Sequence, residues 1–153
     1  ENGCKESRPE ALCFHHNPEY KKRDSVSRMA ITSKYDLEDL KQEIQKCELI
    51  CQNCHRERHT DTQSFNGKSQ DTDDKNTKSG LVRILKKEGS CSNEDCNESR
   101  PYCLDFHHIK QENKNASIDK IAGEGDMKEL KSELEKCELL CVNCHMIKHS
   151  TCD

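Results

Sequence analysis

The chain has 153 residues, 31% of them hydrophobic and 35% charged, with no Trp and a formal net charge of -4, a composition that excludes a large apolar core. It also contains no apolar run approaching a membrane span or a signal-peptide core. The acidic balance speaks against an extended nucleic-acid surface, although Lys21, Lys22 and Arg23, then Arg56 and Arg58, then Lys110, Lys114 and Lys148 form local basic groups.

In chain order, the first recognisable block is Cys4 to His16, CKESRPEALCFHH, ending in a histidine doublet. A tolerant loop follows, then a predicted helix on which Leu37, Leu40 and Ile44 repeat at i, i+3 and i+7 with charged residues elsewhere. This stripe reads as a helix covering a core. The second block, Ile44 to His55, is IQKCELICQNCH, with His59 four residues beyond it. From Thr60 to about Gly80 the chain is polar and without hydrophobic period, which predicts a flexible linker with Phe65 exposed. Leu81, Val82, Ile84 and Leu85, with Lys86 and Lys87, predict a short helix leading into Cys91.

Both blocks then recur in the same order. Cys96 to His108 matches Cys4 to His16 at nine of thirteen positions without a gap, and Leu134 to His145 matches Ile44 to His55 at eight of twelve, so the chain is a duplicated unit. The helix stripe recurs as Met127, Leu130 and Leu134. The expected division is a first module over 1–59, a linker over 60–79 and a second module over 80–153. The first module reads as truncated at its N-terminal edge, because the position equivalent to Cys91 falls before Glu1.

Modules of this size and hydrophobicity come out near zero when burial is weighed against the entropy of ordering, so ligation has to staple them. Cys91 and Cys96 form a C-x4-C loop and Cys141 and Cys144 a C-x2-C loop, the arrangement of a closed four-thiolate zinc. In the first copy Cys4, Cys51 and Cys54 align with these ligands. Cys13 aligns with Asp105 on the strand and is not expected to be the fourth. Cys47 and Cys137 read as small buried apolar residues, whereas Cys103 and Cys152 have no evident partner. A disulfide-rich extracellular protein would not need histidines directly after each C-x2-C, so the chain reads as a soluble protein of a reducing, cytoplasmic compartment.

All eight histidines fall in four pairs at equivalent positions of the repeat, which points to ligands and acid-base groups rather than packing. A strand through Tyr102, Leu104 and Phe106 sends the adjacent His107 and His108 to opposite sides. His145 and His149 lie one turn apart on one helical face. His107, His145 and His149 therefore form a three-imidazole site with open positions, as in catalytic metal centres, and such a site favours zinc, nickel or cobalt over magnesium. His108 is left free as general base.

The order C-x4-C, LDFHH, KCELLCVNCHMIKH resembles the HNH endonucleases, the ββα-metal or His-Me finger fold, and in particular members with a histidine doublet and a four-cysteine zinc. The resemblance covers both copies and leaves out only the linker. It implies a small, metal-stapled α+β architecture, two tandem ββα-metal modules with a short helix between their strand blocks. It also implies a metal-dependent DNA endonuclease with DNA as partner and no membrane. By resemblance, His107 and His15 bind the catalytic metal with His145 and His149, or His55 and His59. His108 and His16 activate water. The resemblance leaves Zn²⁺, Ni²⁺, Mn²⁺ and Mg²⁺ open for this site, beside a structural Zn²⁺. The tandem copies, tethered flexibly, are expected to be able to act as an intramolecular pair, each nicking one strand. The resemblance departs at the middle letter of the motif, where Lys46 and Lys136 stand in place of the Asn that braces the general base, so the expectation is either reduced activity or a brace from another residue, such as Asn113 or Asn115 in the second copy. The alternative function is a catalytically silent zinc module that binds nucleic acid or protein.

Overall fold

A computed structural model describes residues 4–60 and 74–150. The protein is a small α+β structure in which two two-stranded antiparallel hairpins are each followed by a helix. In the first copy β1 (Leu12–His16) pairs with β2 (Cys47–Cys51), and α1 (Val26–Ile31) and α2 (Leu37–Ile44) lie between them. Helix α3 (Gln52–His59) follows β2 directly. Helix α4 (Lys78–Glu88) then leads to the second copy, β3 (Leu104–His108), α5 (Ile118–Glu124), α6 (Met127–Leu134), β4 (Cys137–Cys141) and α7 (Val142–Ser150). The registers are equivalent, with Leu12 opposite Cys51 and Leu104 opposite Cys141, so both hairpins start beside a candidate metal ligand.

Local chemistry explains the elements that periodicity alone does not reveal. Ser25 and Ser117 cap α1 and α5, Asp36 and Asp126 cap α2 and α6, and each side chain accepts from the backbone N–H three residues on. The loop expected between the strand blocks thus contains a short capped helix before the predicted one. Thr77 caps α4, which begins at Lys78, so the polar stretch read as linker ends earlier than Gly80. Phe65 and Cys152 lie outside the described residues. Tyr102 belongs to a 3-10 turn, Pro101–Cys103, rather than to the strand, which starts at Leu104.

Each copy's core is thin. In the second copy Ile118, Ile121 and Leu130 form one buried cluster with Phe106, Leu81 and Val82 packed against it. A second cluster is built of Leu104, Leu140 and the ligand cysteines Cys91, Cys141 and Cys144. Phe14 and Leu49, the first-copy equivalents of Phe106 and Leu139, are exposed, because no described element covers them as α4 covers the later pair.

The two copies pack on each other about an approximate two-fold relation. Helices α3 and α7 are in contact, and the 3-10 turn before each copy's first strand packs on the other copy's final helix. At the centre, the backbone N–H of Asn53 donates to Asn143 Oδ1 (3.0 Å) and that of Asn143 donates to Asn53 Oδ1 (3.2 Å). The same asparagines donate through Nδ2 to Glu98 (3.2 Å) and Glu6 (3.5 Å), which are themselves equivalent residues. Cys103, fully buried, donates its thiol to the Asn53 carbonyl, so this cysteine belongs to the interface. These bonds join the two copies at a buried contact: an asparagine there that lost its partner would leave unpaired polar groups.

Candidate metal centres

The Cys91, Cys96, Cys141 and Cys144 sulfurs all lie within 4.8 Å of one another, and Cys96 and Cys141 are 3.7 Å apart. Thiolates at about 2.3 Å from a tetrahedral zinc are about 3.8 Å apart, so the spacing fits that ion. Backbone and side-chain N–H groups point at the sulfurs: Cys141 N to Cys91 (3.2 Å), Cys144 N to Cys141 (3.5 Å) and Asn93 Nδ2 to Cys144 (3.4 Å). Donors of this kind stabilise thiolate charge. Burial resists it, pushing the Cys96 thiol up to about 11 and Cys144 further, while at Cys91 N–H donors overcome burial and hold the thiol below its ordinary value. A divalent cation at this point would resolve the conflict by taking the thiolate charge.

In the first copy Cys4, Cys51 and Cys54 form the equivalent group, which holds three cysteines among the described residues. Cys13 is not with them; its thiol donates to the Ile50 carbonyl. Every described cysteine is free of disulfides. Cys47 and Cys137 are only half-buried, each donating to the carbonyl of Glu43 or Glu133 (both 3.4 Å).

The imidazoles converge as the spacing predicts. His107 from β3 meets His145 and His149 from α7, with ring centroids 4.9 and 5.0 Å away, and the Nε2 atoms of His145 and His149 are 3.1 Å apart. His15, His55 and His59 repeat the arrangement at 5.1 to 5.2 Å from the His15 ring. His107 is buried, and its Nδ1 has no hydrogen-bond partner among the described residues. Such an orphan suits a metal site. Burial first, then the neighbouring His145, Lys148 and His149, press its pKa down to about 4, which keeps the ring neutral and able to ligate at neutral pH. Zinc fits the cysteine tetrad, and the three-nitrogen groups fit a divalent ion that accepts imidazole.

The second histidine of each doublet is not free. His108 Nε2 lies 2.7 Å from Glu133 Oε1, and His16 Nε2 lies 2.9 Å from Glu43 Oε1. Both glutamates are 1% exposed, on helices whose apolar stripe alone would leave their charged residues in solvent. Burial would raise their pKa, but hydrogen bonds from Lys136, the Asn115 backbone and His108 hold Glu133 at about 2. The corresponding bonds from Lys46, the Arg23 backbone and His16 hold Glu43 there too. An ionised carboxylate can only accept, so a hydrogen sits on His108 Nε2, and the neutral form of the ring carries its lone pair on Nδ1.

The lysines in the Asn position complete this network. Lys136 Nζ donates to Glu133 Oε2 (2.7 Å) and to the Asn113 carbonyl (3.1 Å), and Lys46 Nζ donates to Glu43 Oε2 (2.6 Å) and the Lys21 carbonyl (3.3 Å). Asn113 and Asn115 take part through backbone atoms only. A Lys–Glu pair thus occupies the place that the resemblance gives to Asn. Its signal in the sequence is the repeated spacing of Glu and Lys three residues apart in both copies, Glu43 to Lys46 and Glu133 to Lys136.

Around the second triad runs a cleft of about 290 Å³ whose walls include His107, His108, His145, His149, Lys114 and Arg56. Comparison with protein-family models, with characterised proteins and with solved structures finds no match to this chain. Among the described residues no helix is long and apolar enough to cross a membrane.

Proposed function

We propose that the chain is a metal-dependent endonuclease of the HNH, ββα-metal type, hydrolysing phosphodiester bonds in DNA, with each hairpin and its final helix as one module. The observation that carries this reading is the convergence, twice, of three imidazoles from a strand and a helix beside a fourth whose tautomer is set by a buried carboxylate. His107, His145 and His149 would hold a divalent cation, which would supply positive charge for the scissile phosphate and the leaving oxygen. His108 acts from Nδ1, taking the proton of an attacking water, while Glu133 accepts the Nε2 hydrogen and stabilises the imidazolium that forms. Lys136 keeps Glu133 ionised. Lys114 places positive charge on the cleft wall, where Arg56 is paired with Asp105, and favours a polyanion locally despite the net charge of -4.

A supercoiled-plasmid assay with Ni²⁺, Mn²⁺, Mg²⁺ or Zn²⁺ tests the reading. Nicking by wild type that is lost in His108→Ala supports it. No nicking with any metal by fully zinc-loaded protein would leave the second reading, a silent zinc module, which the acidic balance favours.

A further inference from the structure

The pseudo-two-fold contact is not symmetric at the metal centres. Arg56 on α3 of the first copy crosses to the second copy, where Nη1 bonds Asp105 Oδ1 at 2.7 Å. Lys86 on α4 approaches the same oxygen at 3.5 Å. The other carboxylate oxygen, Oδ2, faces His145 Nδ1 at 3.9 Å, while Nε2 of that ring lies toward His149. Asp105 thus stands on the Nδ1 side of a candidate ligand, opposite the Nε2 that turns to His149. In the reverse direction nothing equivalent is found among the described residues. The residue matching Arg56 is Met146, the residue matching Asp105 is Cys13, and the Cys13 thiol is turned to the Ile50 carbonyl.

We infer that the second copy's metal centre is completed by the first, through Arg56 holding Asp105 behind His145, and that the first copy's own centre lacks this support. A carboxylate behind a ligating imidazole fixes its tautomer and orientation and raises its basicity, and loss of such a partner costs roughly tenfold to a hundredfold in metal affinity. Arg56 and Asp105 are positioning residues: neither is a ligand. The first copy then serves its partner as a scaffold, and the duplication yields one strong centre and one weak one. This deepens the metal-site reading above and rests on it.

Calorimetric titration of Ni²⁺ into the zinc-loaded full chain tests the inference, with one triad silenced at a time. With His15→Ala in place, so that only the second centre remains, Arg56→Met and Asp105→Asn are each expected to weaken Ni²⁺ binding by about tenfold or more. The double variant should be no weaker than the worse single one, because the two act as a unit. Arg56→Lys, which keeps the charge, should recover most of the affinity. With His107→Ala in place, leaving the first centre, Arg56→Met should change nothing beyond about twofold. The inference is overturned if Arg56→Met leaves the second centre's affinity intact, if the two single losses add, or if both centres weaken alike. Absence of Ni²⁺ binding at either triad of the wild type would overturn it together with the metal reading. The expected affinity pattern without nicking by any metal would leave the inference standing and remove only the nuclease.

Discussion

Glu133 sets what its neighbours can do, because it is buried, ionised and bonded at once to His108, Lys136 and the Asn115 backbone. Replacing it with Gln removes the charge that fixes the His108 tautomer and leaves Lys136, 29% exposed, with only a carbonyl for company. Glu133→Gln is expected to slow nicking by about 10²-fold or more at unchanged metal content, a loss of the size that general-base catalysis supplies. It is also expected to lower unfolding free energy by roughly 2 kcal/mol, below the usual cost of breaking a buried pair because Lys136 reaches water. Rate and denaturant melts on one preparation check both. The pH dependence of the metal-free protein follows from the same groups. His107, with its pKa lowered to about 4 from an ordinary 6.5, binds its proton more readily unfolded than folded, so stability falls as pH drops from about 6.5 toward 4. Glu133 and Glu43, held at about 2 against an ordinary 4.5, contribute stability that is complete above about 4.5 and lost only as pH falls through 2. Denaturant midpoints at pH 7, 5 and 3 should show the first decline between 7 and 5, and His107→Asn should make that decline shallower, with His15, His55 and His149, also held below the ordinary value by burial, keeping part of it.

At the scale of elements, helix α4 distinguishes the copies. It packs Leu81 and Val82 beside Phe106, whereas Phe14 stands 40% exposed at the equivalent place. Phe106→Ala is expected to cost about 3 kcal/mol and Phe14→Ala under about 1 kcal/mol, as the difference between partly filled and largely solvated sites requires. Chemical denaturation of the two variants gives both values. This helix and the repeat were legible beforehand because each writes itself in periodic apolar residues or in identity between blocks. The triads were legible because His-x3-His has one helical geometry and an adjacent doublet on a strand has one alternation. The buried glutamates were not, since a charge facing inward looks in sequence like any charge on an amphipathic helix. Only the identity of Glu43 with Glu133, and of Lys46 with Lys136, carried the signal. Asp105 and Arg56 escaped for a different reason: their pairing joins the two copies, and nothing in either repeat encodes how the repeats sit together.

For the molecule as a whole, the question is whether two stapled units unfold as one. A structural zinc contributes apparent binding energies of about 10–16 kcal/mol in small peptides, comparable with or larger than the entire net stability of an ordinary domain, about 5–15 kcal/mol. With zinc in its cysteine group, a copy's fold would depend on those ligands more than on its thin core. Yet the copies share Asn53, Asn143, Glu6, Glu98 and Cys103 at one interface, where partial unfolding strands buried polar groups. Removal of metal from one copy should therefore be felt in the other. Cys96→Ser, which takes a ligand from the second tetrad, is expected to destabilise the first copy as well, visible as weakened amide protection in α3 and β2 by hydrogen exchange. In an Asn53→Ala, Asn143→Ala background the reciprocal pair is gone, and the same Cys96→Ser change should leave α3 protected as in its parent. Equal protection of α3 with and without Cys96→Ser in the intact interface would show that the halves fold separately, and the second centre would then have no stable source for Arg56.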